Sequence, residues 1–252
     1  MRIDLSGRKA LVTGGSRGIG RGICTALAGC GADVAINFRS DRASAEKLAK
    51  ELESMGRKTV LVQGDVSVPS DIRRVIDQTI KAFEKFDILV NNAGIGDVPD
   101  EPEYDGSAWD RIMNVHVRAL SLFMRHAIDH MKASGWGRII NITSLGALIF
   151  VRNNYCLSKR FADELTLAWA QDAARHKITI NAIAPGSIKT DMLMQSFPSP
   201  EDEIARRLKG IPLQRMATPE EIGRIACFLS SDYADFIVGT IINASGGEIV
   251  GK

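Results

Sequence analysis

Apolar residues along the chain fall into seven short runs separated by helical patterning. The runs are KALVTG (9–14), ADVAINF (32–38), TVLVQGD (59–65), FDILVNNAG (86–94), GRIINITS (137–144), KITINAIAPG (177–186) and GTIINASGG (239–247). Between them lie segments such as ASAEKLAKELESMG and DIRRVIDQTIKAF, whose apolar side chains recur every three or four residues. Strands this uniformly apolar are expected where helices cover both faces of a parallel sheet. Their alternation with helices, joined by right-handed crossovers, predicts a doubly wound α/β fold of about seven strands in a single domain, 1–252. The pattern is least regular over 187–220. Ligands in such folds bind beyond the carboxyl ends of the strands, so a substrate lid is expected around 187–215.

The first run leads into LVTGGSRGIGRGI, a glycine loop that opens a helix. Gly14, Gly18 and Gly20 let the backbone turn tightly and approach a pyrophosphate, and the helix beyond Gly18 offers free N–H groups and a favourable dipole. The alternative is a glycine turn that only packs helix on strand. The strand before, the helix after and the second strand beyond favour a nucleotide.

Composition adds mainly exclusions. Of 252 residues, 45% are apolar and 25% charged, and 32 basic against 30 acidic side chains leave a net charge of +2. No basic block suggests nucleic acid or an anionic membrane, and no apolar run approaches a signal peptide or a membrane span. Cys24, Cys30, Cys156 and Cys227 form no CxxC pair, which suggests a reducing cytoplasm rather than disulfides or zinc.

The loop spacing is TGxxxGxG. Together with NNAG at 91–94, YCLSK at 155–159, PGSIKT at 185–190 and the closing SGG at 245–247, it resembles the short-chain dehydrogenase/reductase family over about residues 5–247. The resemblance implies a Rossmann-type fold and a nicotinamide cofactor. Cofactor contacts would come from Gly14, Ser16, Arg17, Gly18, Ile19 and Gly20 of the loop. Asp65 and Val66 would read the adenine edge, and Asn92, Ala93 and Gly94 would shape the floor beneath the ribose, with Asn92 alternatively a structural strand-end amide. Pro185, Gly186, Ile188 and Thr190 would meet the carboxamide and phosphate end. An NAD-specific site usually ends its second strand with an acidic residue. Here that place holds Phe38 followed by Arg39, and a guanidinium can bind a 2′-phosphate that a carboxylate would repel. Arg17 and Arg39 therefore favour NADP(H), while Asp41 keeps NAD(H) in play. The alternative is that both arginines are simply solvated.

YCLSK puts Tyr155 and Lys159 on one helical face. In the family reading Tyr155 is the acid in reduction and the base in oxidation; Lys159, together with the positive nicotinamide when oxidised, lowers its pKa, and Lys159 also holds the ribose hydroxyls. Ser144 takes the place of the serine that orients the carbonyl, with Thr143 the competitor. Ser144 and Tyr155 are closer in sequence than is usual in the family, so the LGALIFVRNN loop must run a tighter path.

MNVHVRAL holds a further question. On an ideal helix Trp109, Ile112, Met113, His116, Leu120, Phe123 and Ala127 share one stripe, and Asn114 lies opposite with Arg111, Arg118 and Arg125. Counting from Trp109, the asparagine of the resembling enzymes aligns with His116. There the residue bends the helix, and its main-chain carbonyl serves a proton chain ending at the lysine. His116 is thus a candidate catalytic position, with a core histidine as the alternative; if only its backbone matters, His116→Asn should be nearly silent. No metal site is expected: His126 and His130 form an HxxxH pair without a third ligand.

The resemblance is nearest to 3-oxoacyl-[acyl-carrier-protein] reductases, then to enzymes of sugars, polyols, steroids and other small carbonyls. A carrier-protein partner needs a basic surface near the site, for which Lys132 or Arg175, His176 and Lys177 are the candidates. A homotetramer or dimer through the helices of the fourth and fifth crossovers is also implied. The rival of another class is a non-catalytic NADP(H) sensor, which intact Ser144, Tyr155 and Lys159 argue against.

Overall fold

Each of the seven apolar runs forms a strand: β1 (Lys9–Val12), β2 (Asp33–Phe38), β3 (Thr59–Gln63), β4 (Ile88–Asn91), β5 (Gly137–Ile142), β6 (Ile178–Pro185) and β7 (Ile241–Ala244). The computed structural model describes residues 2–96, 106–148, 153–190 and 199–250. The strands make one parallel sheet in the order β3-β2-β1-β4-β5-β6-β7. Register aligns Val12 with Ile36 on one side and Val90 on the other, so β1 lies at the point where the winding reverses. A crevice opens there beyond the carboxyl ends of the strands.

Both faces of the sheet are buried because each strand divides its apolar residues between two cores. Ala10, Val12, Ile88, Val90, Ile140 and Ile142 face α1 (Gly18–Gly29), α2 (Arg42–Ser54) and α8 (Pro219–Ser230). Leu11, Leu89 and Ile139 face α3 (Pro69–Phe83), α5 (Ala119–Ser134) and α6 (Asn154–Ala174). At about 1.5–3 kcal/mol for each fully buried large aliphatic side chain, this alternation gives both faces comparable drive.

The crossover between β4 and β5 is not one regular helix. A short α4 (Ser107–Met113) passes into a π-helical turn, Asn114–Arg118, before α5, with the Ala119 N–H donating to the Asn114 carbonyl. Such a turn adds a residue and shifts the phase of the helix. The ideal-helix stripe is corrected accordingly: Trp109 is exposed, Asn114 is half-buried rather than solvent-facing, and Val115 and Ala119 join Ile112, His116 and Leu120 in the interior. Arg111, Arg118 and Arg125 are exposed as expected.

The irregular stretch after β6 contains α7 (Pro200–Leu208), with Glu201, Asp202 and Glu203 in its first turn and Arg206 and Arg207 in its last, the arrangement the helix dipole favours. Residues 191–198 of the expected lid, and 149–152 of the LGALIFVRNN loop, lie outside the described residues. Among the described residues no helix is long and apolar enough to cross a membrane.

Candidate active site

The glycine loop is held from two sides. Asn37, buried within β2, accepts from the Gly14 N–H at 3.2 Å and donates to the Val62 and Gly64 carbonyls, each at 3.1 Å. Asn92, just past β4, donates to the carbonyls of Thr13 at 2.9 Å and Gly14 at 3.1 Å. Both of its amide hydrogens are spent on the protein, so Asn92 ties the ends of β1 and β4 together. Gly14 has φ +60, and a Cβ on Gly20 would run into the Gly14 carbonyl and lie 2.5 Å from the Asn92 amide. Arg17 at the start of α1 makes no side-chain cap, and the first turn has no acidic residue. The result is a cradle of backbone N–H groups at an uncapped helix end, which fits a dinucleotide pyrophosphate.

The crevice is lined by Gly14, Ser16, Arg17, Gly18, Ile19 and Gly20, by Asp65 and Val66, by Asn92, Ala93 and Gly94, and by Tyr155, Lys159 and Thr190. Pro185 ends β6 and Gly186 follows it; Ile188 is buried in the core on the α1 side of the sheet and pairs its backbone with Ala217. Asp65 accepts from the Ser67 N–H and hydroxyl at 2.8 and 2.7 Å, which shapes its own turn. At the far end Arg39 is exposed and borders both this crevice and a neighbouring hollow containing Arg42 and Arg74. Asp41 is the N-cap of α2 and accepts from the Ser44 N–H at 3.0 Å. That hydrogen bond and the nearby Arg17 hold its carboxyl below the usual range.

At the other end β5 delivers Ser144 and the first turns of α6 deliver Tyr155 and Lys159. Ser144 and Tyr155 converge on Gly146: Ser144 Oγ accepts from the Gly146 N–H at 3.0 Å, and a Cβ on that glycine would lie 3.3 Å from Ser144 Oγ and 3.7 Å from the Tyr155 ring. Thr143 turns the other way, donating to the Ile183 carbonyl at 3.2 Å. Lys159 is 5% exposed; its ammonium donates to the Ile142 carbonyl at 3.0 Å and sits 5.7 Å from the Tyr155 ring centre. Burial pulls its pKa down to about 8, against the opposing pull of Asp163. Without a nicotinamide, burial dominates at Tyr155 and pushes the phenol up, opposed by the Ser144 hydroxyl and by Arg207.

His116 points into this cluster from the π turn. It is 3% exposed, and its ring meets that of Tyr155 edge-on, with centroids 5.5 Å apart at 83°. His130 is elsewhere, stacked on Phe86. The bases considered for carrier-protein docking lie at the wrong edge of the sheet. Lys132 is in the last turn of α5, just before β5 begins. Arg175 caps the end of α6, twenty residues after Tyr155 and so about 30 Å away by helical rise.

A family model described as enoyl-(acyl carrier protein) reductase matches residues 14–248. The hydroxynaphthalene reductase-like protein Arp2 of Metarhizium majus (strain ARSEF 297) is 34% identical over 259 residues, spanning 98% of this chain and 96% of that protein. A short chain dehydrogenase from Burkholderia cenocepacia J2315, solved in complex with NADP, superposes with a TM-score of 0.86 at 32% identity, covering 97% of this chain and 98% of that one. The chain is a short-chain dehydrogenase/reductase. A 7α-hydroxysteroid dehydrogenase complexed with NADH and 7-oxo glycochenodeoxycholic acid is also similar to this dehydrogenase/reductase, with a TM-score of 0.91, 31% identity and coverage of 98% and 96%. The enzyme is accordingly an NAD(P)(H)-dependent oxidoreductase acting between carbonyl and alcohol groups.

Three residues of this short-chain dehydrogenase/reductase site were not singled out from the sequence. Asn37 was legible only as a polar residue inside an otherwise apolar strand. Ser158 sits inside YCLSK, where the eye goes to the tyrosine and lysine. Asp163 follows Lys159 by four residues, hence on the same face.

Proposed function

We propose that this enzyme is an NADP(H)-dependent reductase that interconverts a ketone and a secondary alcohol on a free small molecule. The observation that carries the reading is the convergence of Ser144 and Tyr155 around Gly146, beside buried Lys159, at the end of a crevice that fits a dinucleotide. When bound, a nicotinamide supplies the hydride in reduction or takes it in oxidation. Ser144 and Tyr155 present two O–H donors to one substrate oxygen. The raised pKa of Tyr155 keeps its phenol protonated at neutral pH, which suits it to give the proton in reduction. Lys159 holds the ribose hydroxyls and stays cationic below about pH 8.

The preference for the 2′-phosphate rests on local geometry, since similar structures hold NADP in one case and NADH in another. Arg17 and Arg39 face that end of the crevice, and the carboxylate that would favour NAD, Asp41, is engaged as a helix cap. For the substrate we favour a fused-ring ketone. The name of one similar protein, a hydroxynaphthalene reductase-like protein, and the 7-oxo glycochenodeoxycholic acid bound to another point to that class. A 3-oxoacyl thioester is the competing reading; Arg206, Arg207 and Arg215 are paired with Glu203 and Glu221, which leaves them less suited to an acidic carrier protein. Residues 1–252 then act as one dinucleotide-binding and catalytic domain. In this reading α7 belongs to the cover over the substrate, supported by the Arg207 bond to the Ser187 hydroxyl at 3.1 Å.

The test is NADPH oxidation with hydroxynaphthalene-type and steroid ketones, sugars and 3-oxoacyl thioesters, repeated with NADH. A strong NADH preference would overturn the Arg17 and Arg39 argument. Tyr155→Phe should bind NADPH as before and lose at least about a hundredfold in kcat. A sensor that only binds the nucleotide would show no turnover in the wild type.

A further inference from the structure

His116 uses both ring nitrogens within the protein. The Ile95 N–H donates to Nε2 at 3.0 Å, so Nε2 carries a lone pair and the proton is on Nδ1. Nδ1–H then faces the Ser158 hydroxyl at 2.8 Å, and that hydroxyl in turn donates to the Tyr155 carbonyl at 2.7 Å. The three bonds run in one direction, from the loop after β4 that lines the crevice to the first turn of α6 that carries Tyr155.

We propose that the His116 imidazole is a positioning residue, a permanently neutral Nδ1–H strut that sets Tyr155 against the floor of the cofactor crevice. The proposal rests on the oxidoreductase reading for its kinetic consequence but not for its geometry. Neutrality follows from the surroundings. Among the described residues the ionisable groups facing the ring are Lys159 and Tyr155, both from α6, and the loop after β4 brings Gly94 and Ile95. Burial and the Lys159 charge together hold the imidazole pKa down to about 2. With both nitrogens engaged, the ring has no site from which to trade a proton with substrate. Space for it is made by Gly94, where a Cβ would lie 3.2 Å from Nε2 and 3.7 Å from the lysine Nζ.

Amide side chains divide the two functions. In Asn the donor nitrogen falls where Nδ1 does, so His116→Asn keeps the Ser158 bond and does not reach Ile95. In Gln the terminal oxygen can replace Nε2, so His116→Gln keeps Ile95 and loses Ser158. Each should lower kcat about tenfold, with NADPH affinity within about twofold of wild type. Ser158→Ala should cost about the same as His116→Gln, and the double variant little more than either, because both remove one link. Wild-type kcat in both histidine variants, or fully additive losses, would overturn the proposal. A second arm needs no turnover. Nitrogen NMR of histidine-labelled wild-type enzyme, with His116 assigned by its loss in His116→Gln, should show protonated Nδ1 and bare Nε2, unchanged over about pH 5 to 9. An Nε2–H tautomer, or titration in that range, sinks the proposal. Should wild type reduce none of the ketones, the proposed ketone-reductase reading falls and the nitrogen shifts alone decide the strut.

Discussion

Lys159 and Asp163 occupy successive turns of one helix face, and both are nearly inaccessible to solvent. Burial drives each toward its neutral form: the lysine falls to about 8 and the carboxyl rises to about 6. Each charge opposes the other's shift, and among the described residues one carboxyl oxygen of Asp163 has no hydrogen-bond partner. Above about pH 6 the Asp163 anion therefore helps to keep the neighbouring ammonium charged. Removing it lets burial act alone, so the lysine loses its proton at lower pH. Asp163→Asn should move the alkaline limb of the kcat/KM profile downward by at least about half a pH unit, with the plateau at lower pH less affected. A pH–rate profile measured beside wild type checks this, and an unmoved alkaline limb would remove Asp163 from the account.

At the scale of elements, the close crossing of α1 and α8 and the π turn before α5 do most to set the site. Gly22 on α1 faces the first residue of α8, and a Cβ there would lie 2.5 Å from the Pro219 carbonyl oxygen, which is backbone and cannot swing aside. Gly22→Ala should therefore cost about 2 kcal/mol or more and lower the Tm, with the loss read by denaturant unfolding. Because α1 carries the glycine loop at its N-terminus, NADPH affinity should fall with it. The π turn works on the opposite face of the sheet. Its added residue rotates the helix so that Val115 and Ala119 join His116 in the interior, where the imidazole reaches both Ile95 and Ser158. A regular helix through MNVHVRAL would present a different set.

For the molecule as a whole, α6 has a second face. Leu157, Phe161 and Leu167 are 40%, 45% and 44% exposed, with Trp109 of α4 exposed nearby in the preceding crossover, an apolar stripe that favours self-association. Phe161→Glu combined with Leu157→Glu should reduce the mass measured by light scattering to that of one chain, whereas a wild-type monomer would refute the expected dimer or tetramer. Much else at this scale was legible in the residues themselves. Seven apolar runs became seven parallel strands because burial on both faces demands such runs, and the glycine loop, Tyr155 and Lys159 announced themselves because their chemistry tolerates few substitutes. Asn37 and Asn92 were less legible as parts of the cradle, since an amide's role depends on which carbonyls approach it from strands far away in sequence. The sequence by itself determined the sheet, the position of the crevice and the pairing of Tyr155 with Lys159, through periodicity and spacing that act locally. Only the tertiary structure decided the phase of the helix after Met113, the direction of the Tyr155 shift and the tautomer of His116. Each of these depends on burial and on hydrogen-bond partners contributed by separate elements, which no local pattern encodes.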